Sequence, residues 1–279
     1  MARLVSTRMI VPNMHLLTVE APTVSREVRP GQFVIVRAEE EGERIPLSIS
    51  DWDAESGTVS VFVMNVGNTT GRLASLPAGA QVPTLVGPLG NPTVIEEFGT
   101  VLCLAGCYGI GSIYPIAREL KARGNRVVVA IEARSSYLVY WEDKLRAVAD
   151  RLYFITRDGS KGLRGHVGRL GEVLRAEEPV HRVIANGCTF MMKRGVDETR
   201  PLGIKTIVSL NPIMIDGTGM CGVCRVTVGS KTRFACVDGP DFDGHEVDWA
   251  ELLQRRKTYL PEEGVVLRTS RCEGRHAES

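Results

Sequence analysis

The stretch from Asp216 to Cys236 constrains this chain more than any other. It reads Asp216-Gly217-Thr218-Gly219-Met220-Cys221-Gly222-Val223-Cys224, then eleven residues, then Cys236, and holds three of the seven cysteines. Plant-type iron–sulfur spacing is a cysteine, four residues, a cysteine, two residues, a cysteine, and a distant fourth. Cys221, Cys224 and Cys236 take the last three places and Asp216 takes the first. A carboxylate can ligate iron and, like a thiolate, carries one negative charge. The interspersed glycines suit a loop wrapped around a cluster, since glycine allows positive φ and close backbone approach. The stretch points to a one-electron carrier with a 2Fe-2S cluster on Asp216, Cys221, Cys224 and Cys236.

Other uses of these residues need weighing. Three cysteines with His245 nearby could hold zinc, because Cys₃His sites begin with similar short spacings. Asp238-Gly239-Pro240-Asp241-Phe242-Asp243-Gly244 faintly suggests a calcium loop, but the register that puts Gly244 at position 6 puts Gly239, not an aspartate, at position 1. An odd cysteine number without a secretory signal disfavours a disulfide framework and favours a reducing, intracellular compartment.

A chain of 279 residues accommodates two compact domains and a small appendage. A formal net charge of +1 without blocks of like charge argues against a nucleic-acid partner. No apolar stretch approaches the ~18 residues that span a membrane, and Met1-Ala2-Arg3-Leu4-Val5-Ser6 runs directly into strand-like sequence. The expectation is a soluble cytoplasmic protein.

Residues 1–98 read as an antiparallel β-barrel. Phe33 to Arg37, Arg44 to Ser50, Thr58 to Met64 and Val82 to Val86 are short strand-like runs bounded by turn signals such as Pro30-Gly31 and Ser56-Gly57. From 99 to 208 strands alternate with helices, which implies a doubly wound parallel sheet. Val101 to Ala105, Val127 to Ile131, Leu152 to Thr156 and Val183 to Ala185 are the strands. Helices are expected around Ile113 to Leu120, Leu138 to Val148, Val167 to Leu174 and Phe190 to Val196. Residues 209–279 carry the cluster motif, a hairpin of Arg225 to Val228 and Thr232 to Ala235 closed by Gly229-Ser230, a short helix in Val247 to Tyr259, and a polar tail in which Cys272 is a bystander.

Ligands bind at the carboxyl ends of such parallel strands. Two loops stand there, Gly106-Cys107-Tyr108-Gly109-Ile110-Gly111 and Asn186-Gly187-Cys188-Thr189. Candidate nucleotide contacts are Gly106, Tyr108, Gly109, Ile110 and Gly111 in the first and Gly187 and Cys188 in the second. The first loop opens a helix whose backbone N–H groups could hold a pyrophosphate. It lacks the third glycine of a dinucleotide fingerprint, so a purely structural turn explains it almost equally well.

Barrel, nucleotide-type sheet and iron–sulfur loop in this order resemble the ferredoxin-reductase-like flavoproteins. Gly31-Gln32-Phe33-Val34, Gly42 to Ile49, Val66-Gly67-Asn68-Thr69-Thr70, Gly87-Pro88-Leu89-Gly90, Gly203 to Met214 and Asp216 to Cys224 resemble one branch. That branch is the small subunit of NADH-dependent ferredoxin:NADP oxidoreductase, also called the sulfide dehydrogenase beta subunit. The dihydroorotate dehydrogenase electron-transfer subunit is a more distant relative. The resemblance implies that Arg44, Pro46, Leu47 and Ser48 contact FAD, and that Val63, Met64, Gly67, Thr69 and Thr70 line its ring and diphosphate. Arg44 supplies a charge for phosphate, and Thr69-Thr70 open a helix whose N-terminus favours anions.

The function implied is an electron-transfer subunit linking a nicotinamide nucleotide, NAD(H) or NADP(H), to FAD and the cluster. Its partner would be a glutamate-synthase-like large subunit with its own flavin and iron–sulfur clusters, reaching ferredoxin indirectly in electron bifurcation. The alternatives are the same role beside dihydroorotate dehydrogenase or a hydrogenase, or a zinc-stabilised nucleotide module without redox activity. Relatives carry a more glycine-rich first loop than Cys107-Tyr108 allows. Tyr108 then either stacks beside the flavin and admits NAD or covers the flavin and excludes it, and retained NAD(H) binding is expected from the helix N-terminus at Gly109-Ile110-Gly111.

Overall fold

The computed structural model describes residues 2–265. Its first seven strands are β1 (Ala2–Val11), β2 (Met14–Glu20), β3 (Phe33–Arg37), β4 (Ile45–Asp53), β5 (Thr58–Met64), β6 (Gln81–Val82) and β7 (Thr84–Leu89). They form one antiparallel sheet in the order β6-β1-β2-β5-β4-β3-β7, a nearly closed barrel. Two short helices, α1 (Pro22–Glu27) and α2 (Asn68–Ser75), pack on it. Strand periodicity decides what fills it: Val59, Val61 and Val63 of β5 point one way and are fully buried, with Leu47 and Ile49 of β4 in the same cluster. The expected strand from Val82 to Val86 divides at Pro83, which cannot donate to a ladder.

The second sheet begins with β8 (Thr100–Gly106), α3 (Gly109–Ala122), β9 (Arg126–Ala133), α4 (Glu142–Val148), β10 (Arg151–Thr156) and β11 (Leu163–Arg164). It continues with α5 (Leu170–Ala176), β12 (Arg182–Asn186), α6 (Thr189–Thr199) and β13 (Thr206–Ser209). These strands are parallel, in the order β11-β10-β9-β8-β12-β13, and β8 and β9 at the centre are apolar runs buried on both faces. The helix expected across 138–148 is shorter than its apolar spacing suggested. Trp141 sits in the left-handed region at φ 54°, and only Glu142–Val148 is α-helical. Its ring is held edge-on to Phe62 at 4.7 Å and to Tyr114 at 5.5 Å, so tertiary packing overrides the helical pattern.

The last part comprises β14 (Arg225–Val228), β15 (Lys231–Phe234), β16 (Asp241–Asp243) and α7 (Trp249–Arg255). β14 and β15 form the expected hairpin across Gly229 and Ser230, both at positive φ. β16 joins the second sheet antiparallel to β13. Cys224, Val226, Ala235, Cys236, Trp249 and Leu252 share one buried cluster with residues of that sheet and with Phe33 and Ile35 of the barrel. Residues 260–265 are helical, while Cys272 and the tail after 265 lie outside the described residues.

Candidate cofactor sites

A cavity of about 280 Å³ opens where all three parts meet. From the barrel come Pro46, Leu47 and Ser48 of β4, Phe62 and Met64 of β5, and Thr70 of α2. From the sheet come Tyr108, Ser112, Asn186 and Gly187, and from the cluster part Leu210, Met214 and Pro240. Of the residues expected around FAD, Pro46, Leu47, Ser48, Met64 and Thr70 reach this cavity. Val63 does not line it: β5 alternates, so while Phe62 and Met64 face the cavity, the Val63 side chain is inside the barrel core. Arg44 is exposed beside β4, and Gly67 is the N-cap of α2. Thr69 donates its hydroxyl to Glu43 Oε2 at 2.5 Å, and Thr70 Oγ1 accepts from the Gly67 N–H at 3.0 Å.

Two buried polar atoms of the cavity wall, Ser50 Oγ and Asn186 Oδ1, have no hydrogen-bond partner. Buried polar atoms are nearly always paired, so such orphans mark where a ligand's polar edge would sit. An apolar slot with a few convergent donors and acceptors fits a flavin ring. The sequence reading missed Ser50, although Pro46, Ser48 and Ser50 follow the period-two rule along β4. It also missed Leu210, Met214 and Arg256, which reach the site only through the fold.

The nucleotide loops are tightly engaged with the protein itself. A Cβ on Gly109 would lie 2.0 Å from the Asn186 carbonyl oxygen, and one on Gly111 would lie 2.1 Å from the Phe62 ring. These glycines therefore allow close packing of α3 on β12 and on the barrel. The Ile110 N–H donates to the Cys107 carbonyl at 3.3 Å, and the Gly111 N–H donates to the Tyr108 carbonyl at 3.3 Å and to Tyr140 Oη at 3.2 Å. Tyr140 in turn donates to the Cys107 carbonyl at 2.9 Å. Gly109-Ile110-Gly111 opens α3 with Ile110 fully buried and with the Ile110 and Gly111 N–H groups both engaged internally, so an anion there would compete with these bonds.

Tyr108 spans the two loops. Its hydroxyl donates to the Gly187 carbonyl at 3.0 Å and accepts from Asn211 Nδ2. Asn211 Nδ2 also donates to the Gly187 carbonyl at 3.1 Å, and Asn211 Oδ1 accepts from Thr189 Oγ1 at 2.9 Å and from Arg256 Nη1 at 2.7 Å. Burial pushes the Tyr108 phenol above its usual range, so it remains a donor at neutral pH.

At the cluster loop, Cys224 Sγ and Cys236 Sγ are buried and 3.2 Å apart. Cys221 is exposed, and Asp216 accepts from the Thr218 N–H at 2.9 Å and the Cys221 N–H at 2.7 Å, which hold its carboxyl below the usual carboxylate range. Gly217, Gly219 and Gly222 all have positive φ, as a wrapped loop requires. Two converged thiols, a third on the same loop and an ionised carboxylate fit a plant-type cluster, with ligation exchanging thiol protons for metal. Among the described residues no group of three such side chains is gathered closely enough to hold a metal ion as it stands. His245 Nε2 lies 3.2 Å from Thr199 Oγ1, an engagement that does nothing for a Cys₃His zinc site.

Comparison with known proteins agrees with this geometry. Residues 211–248 match the iron–sulfur cluster binding domain of dihydroorotate dehydrogenase B. The chain is 45% identical to the dihydroorotate dehydrogenase B (NAD(+)) electron transfer subunit homolog of Thermotoga maritima, over 88% of this chain and 87% of that one. It superposes with a TM-score of 0.91 and 41% identity on a chain of the NADH-dependent reduced ferredoxin-NADP oxidoreductase structure, covering 96% and 97% of the two. A ferredoxin reductase of carbazole 1,9a-dioxygenase shares the fold, with a TM-score of 0.63 at 18% identity over 73% of this chain and 65% of that one. The chain thus belongs to the dihydroorotate dehydrogenase B electron-transfer subunit family, as the electron-transfer subunit of a flavin and iron–sulfur oxidoreductase with the ferredoxin-reductase-like fold.

Proposed function

We propose that this chain passes electrons between a nicotinamide nucleotide, FAD in the cavity between barrel and sheet, and a 2Fe-2S cluster on Asp216, Cys221, Cys224 and Cys236, and from there to a large partner subunit. The observation that carries this is the cavity itself. Met214 in its wall is two residues before Asp216, and Pro240 is four residues after Cys236. Flavin and cluster would convert a two-electron hydride into single electrons, and the protein's contribution is placement. Ser50 Oγ and Asn186 Oδ1 offer hydrogen bonds to the polar edge of the ring, and Met64, Leu210 and Met214 exclude water from it. The N–H groups opening α2 and the exposed Arg44 offer charge to a diphosphate, which favours FAD over FMN.

The 41% identity to a chain of the ferredoxin-NADP oxidoreductase structure supports a role in bifurcation with ferredoxin, and we infer that the partner is a cytoplasmic glutamate-synthase-like large subunit. Anaerobic purification should yield a yellow-brown protein that releases FAD and contains iron and acid-labile sulfide in equal amounts. Zinc in place of iron, or FMN in place of FAD, would refute the assignment. A co-purified large subunit, identified by mass spectrometry, tests the partner.

A further inference from the structure

Two of the seven cysteines stand together away from the cluster loop. The parallel pairing of β8 with β12 puts Ala105 opposite Asn186. The ladder ends there, and in the loops just beyond it the Cys107 and Cys188 side chains meet in hydrogen-bond contact. The backbones stay in contact there, since a Cβ on Gly187 would lie 2.8 Å from the Gly106 carbonyl oxygen. Neighbouring strands run about 4.8 Å apart, inside the range of about 4.4–6.8 Å that a disulfide bridges between Cα atoms. Cys107 is exposed and adopts φ 52°, and Cys188 is half-buried at the N-cap of α6.

The two thiols are chemically unequal. Cys107 beside it, the Met191 N–H of the first α6 turn and the Arg157 guanidinium hold Cys188 below the usual thiol range, against burial and the Glu132 carboxylate. The same contact with Cys188, then burial, raises Cys107. An acidic thiol at a helix N-terminus paired with a protonated neighbour is the arrangement of an attacking and a resolving cysteine. Cys103, four residues earlier on β8, differs: it is fully buried, and burial pushes it up to about 12.

We propose that Cys107 and Cys188 form a redox-active dithiol that reacts reversibly with small soluble disulfides. In the oxidising direction the Cys188 thiolate attacks one sulfur of the external disulfide. A mixed disulfide forms, and the first external thiol leaves with the proton lost from Cys188. Cys107 then attacks the Cys188 sulfur, closing the internal bond and releasing the second external thiol with the proton of Cys107. Two protein thiols are oxidised to one disulfide, and the external disulfide is reduced to two thiols. The site depends on neither the flavin nor the cluster assignment, and it shares Cys188 with the candidate nucleotide contacts.

The test uses the full chain with its cofactors, equilibrated anaerobically in glutathione buffers of rising oxidised fraction, then alkylated, digested and analysed by mass spectrometry. A peptide linking Cys107 to Cys188 should accumulate and disappear on return to dithiothreitol, while Cys103 remains unmodified. Cys107→Ser should trap glutathione on Cys188, because no resolving thiol remains to release it. No linked peptide at the most oxidising ratio overturns the proposal, as does a Cys107→Ser protein that acquires no adduct at Cys188. If a variant fails to fold, the linked peptide in the unsubstituted protein decides alone.

Discussion

Replacing Tyr108 by Phe isolates a single hydroxyl at the point where a nicotinamide would meet the flavin. Tyr108 lines the cavity, and its hydroxyl ties the loop after β8 to Gly187 and Asn211. Phe keeps the ring and the apolar surface but loses both hydrogen bonds. The partners are not orphaned, because Asn211 Nδ2 still donates to the Gly187 carbonyl at 3.1 Å. At the low end of about 0.5 kcal/mol for each of the two bonds, since Asn211 keeps a partner, the loss is about 1 kcal/mol in all. If the closed position of Tyr108 dominates and must open before a nicotinamide stacks on the ring, the open fraction rises about fivefold, since about 1.4 kcal/mol is tenfold. Apparent affinity scales with that fraction. Stopped-flow mixing of the oxidised holoprotein with NADH, followed by flavin bleaching against NADH concentration, should give an apparent Kd about fivefold lower than for the unsubstituted protein. Unchanged affinity would refute the latch, and weaker binding would show that the phenol contacts the nucleotide instead of excluding it.

Asp216→Cys should retain the cluster and change its midpoint potential, because a hard oxygen donor gives way to a soft sulfur; potentiometry with electron paramagnetic resonance checks it, and loss of iron would contradict the ligand assignment. Arg44→Ala should weaken flavin retention about tenfold, the lower end for a charge-assisted hydrogen bond of about 1.5–3 kcal/mol because Arg44 is exposed, as measured by flavin release on dilution. Asp241 is half-buried, with Thr93 Oγ1 donating to one oxygen at 2.6 Å, and loss of solvent around the carboxyl raises its pKa. The folded state then binds its proton more tightly than the unfolded chain. Its contribution to stability is present below the unfolded value of about 3.9 and is lost as pH rises through the raised one. Asp241→Asn should flatten that part of the melting-temperature profile between acidic and neutral pH, and an unchanged slope would assign it elsewhere.

What the chain reveals about itself depends on how far apart the interacting groups lie in sequence. The cluster loop was legible because its spacing is covalent, and the β14–β15 hairpin because Gly229-Ser230 is a turn signal whose two residues both adopt positive φ. Short-range periodicity could also have sorted Val63 from Met64, and would have added Ser50. The engaged N-terminus of α3 had no local signature. Its partner Tyr140 comes from the connection after β9, where Trp141 breaks the helical pattern to pack on Phe62. The glycines that read as a phosphate cradle also serve close packing, which is visible only when Asn186 and Phe62 are in place.

That difference between local and assembled information has a functional counterpart. The cluster part lacks a core of its own: β16 is an edge strand of the second sheet, Cys224 and Cys236 share the cluster that includes Phe33 and Ile35, and Thr93 of the barrel side bonds Asp241. A Cβ on Gly217 would lie 2.7 Å from Leu89 and 2.9 Å from Ile35, so the ligand loop lies directly on the barrel. With Met214 and Pro240 in the cavity wall, the path from cavity to cluster loop runs along short covalent spans. The side of the two candidate nucleotide loops is built differently, the loops being joined through one phenol, one asparagine and a pair of thiols. Electron transfer depends steeply on distance, whereas nucleotide exchange requires opening. The chain therefore places its packed core on the first of these and its few-hydrogen-bond contacts on the second.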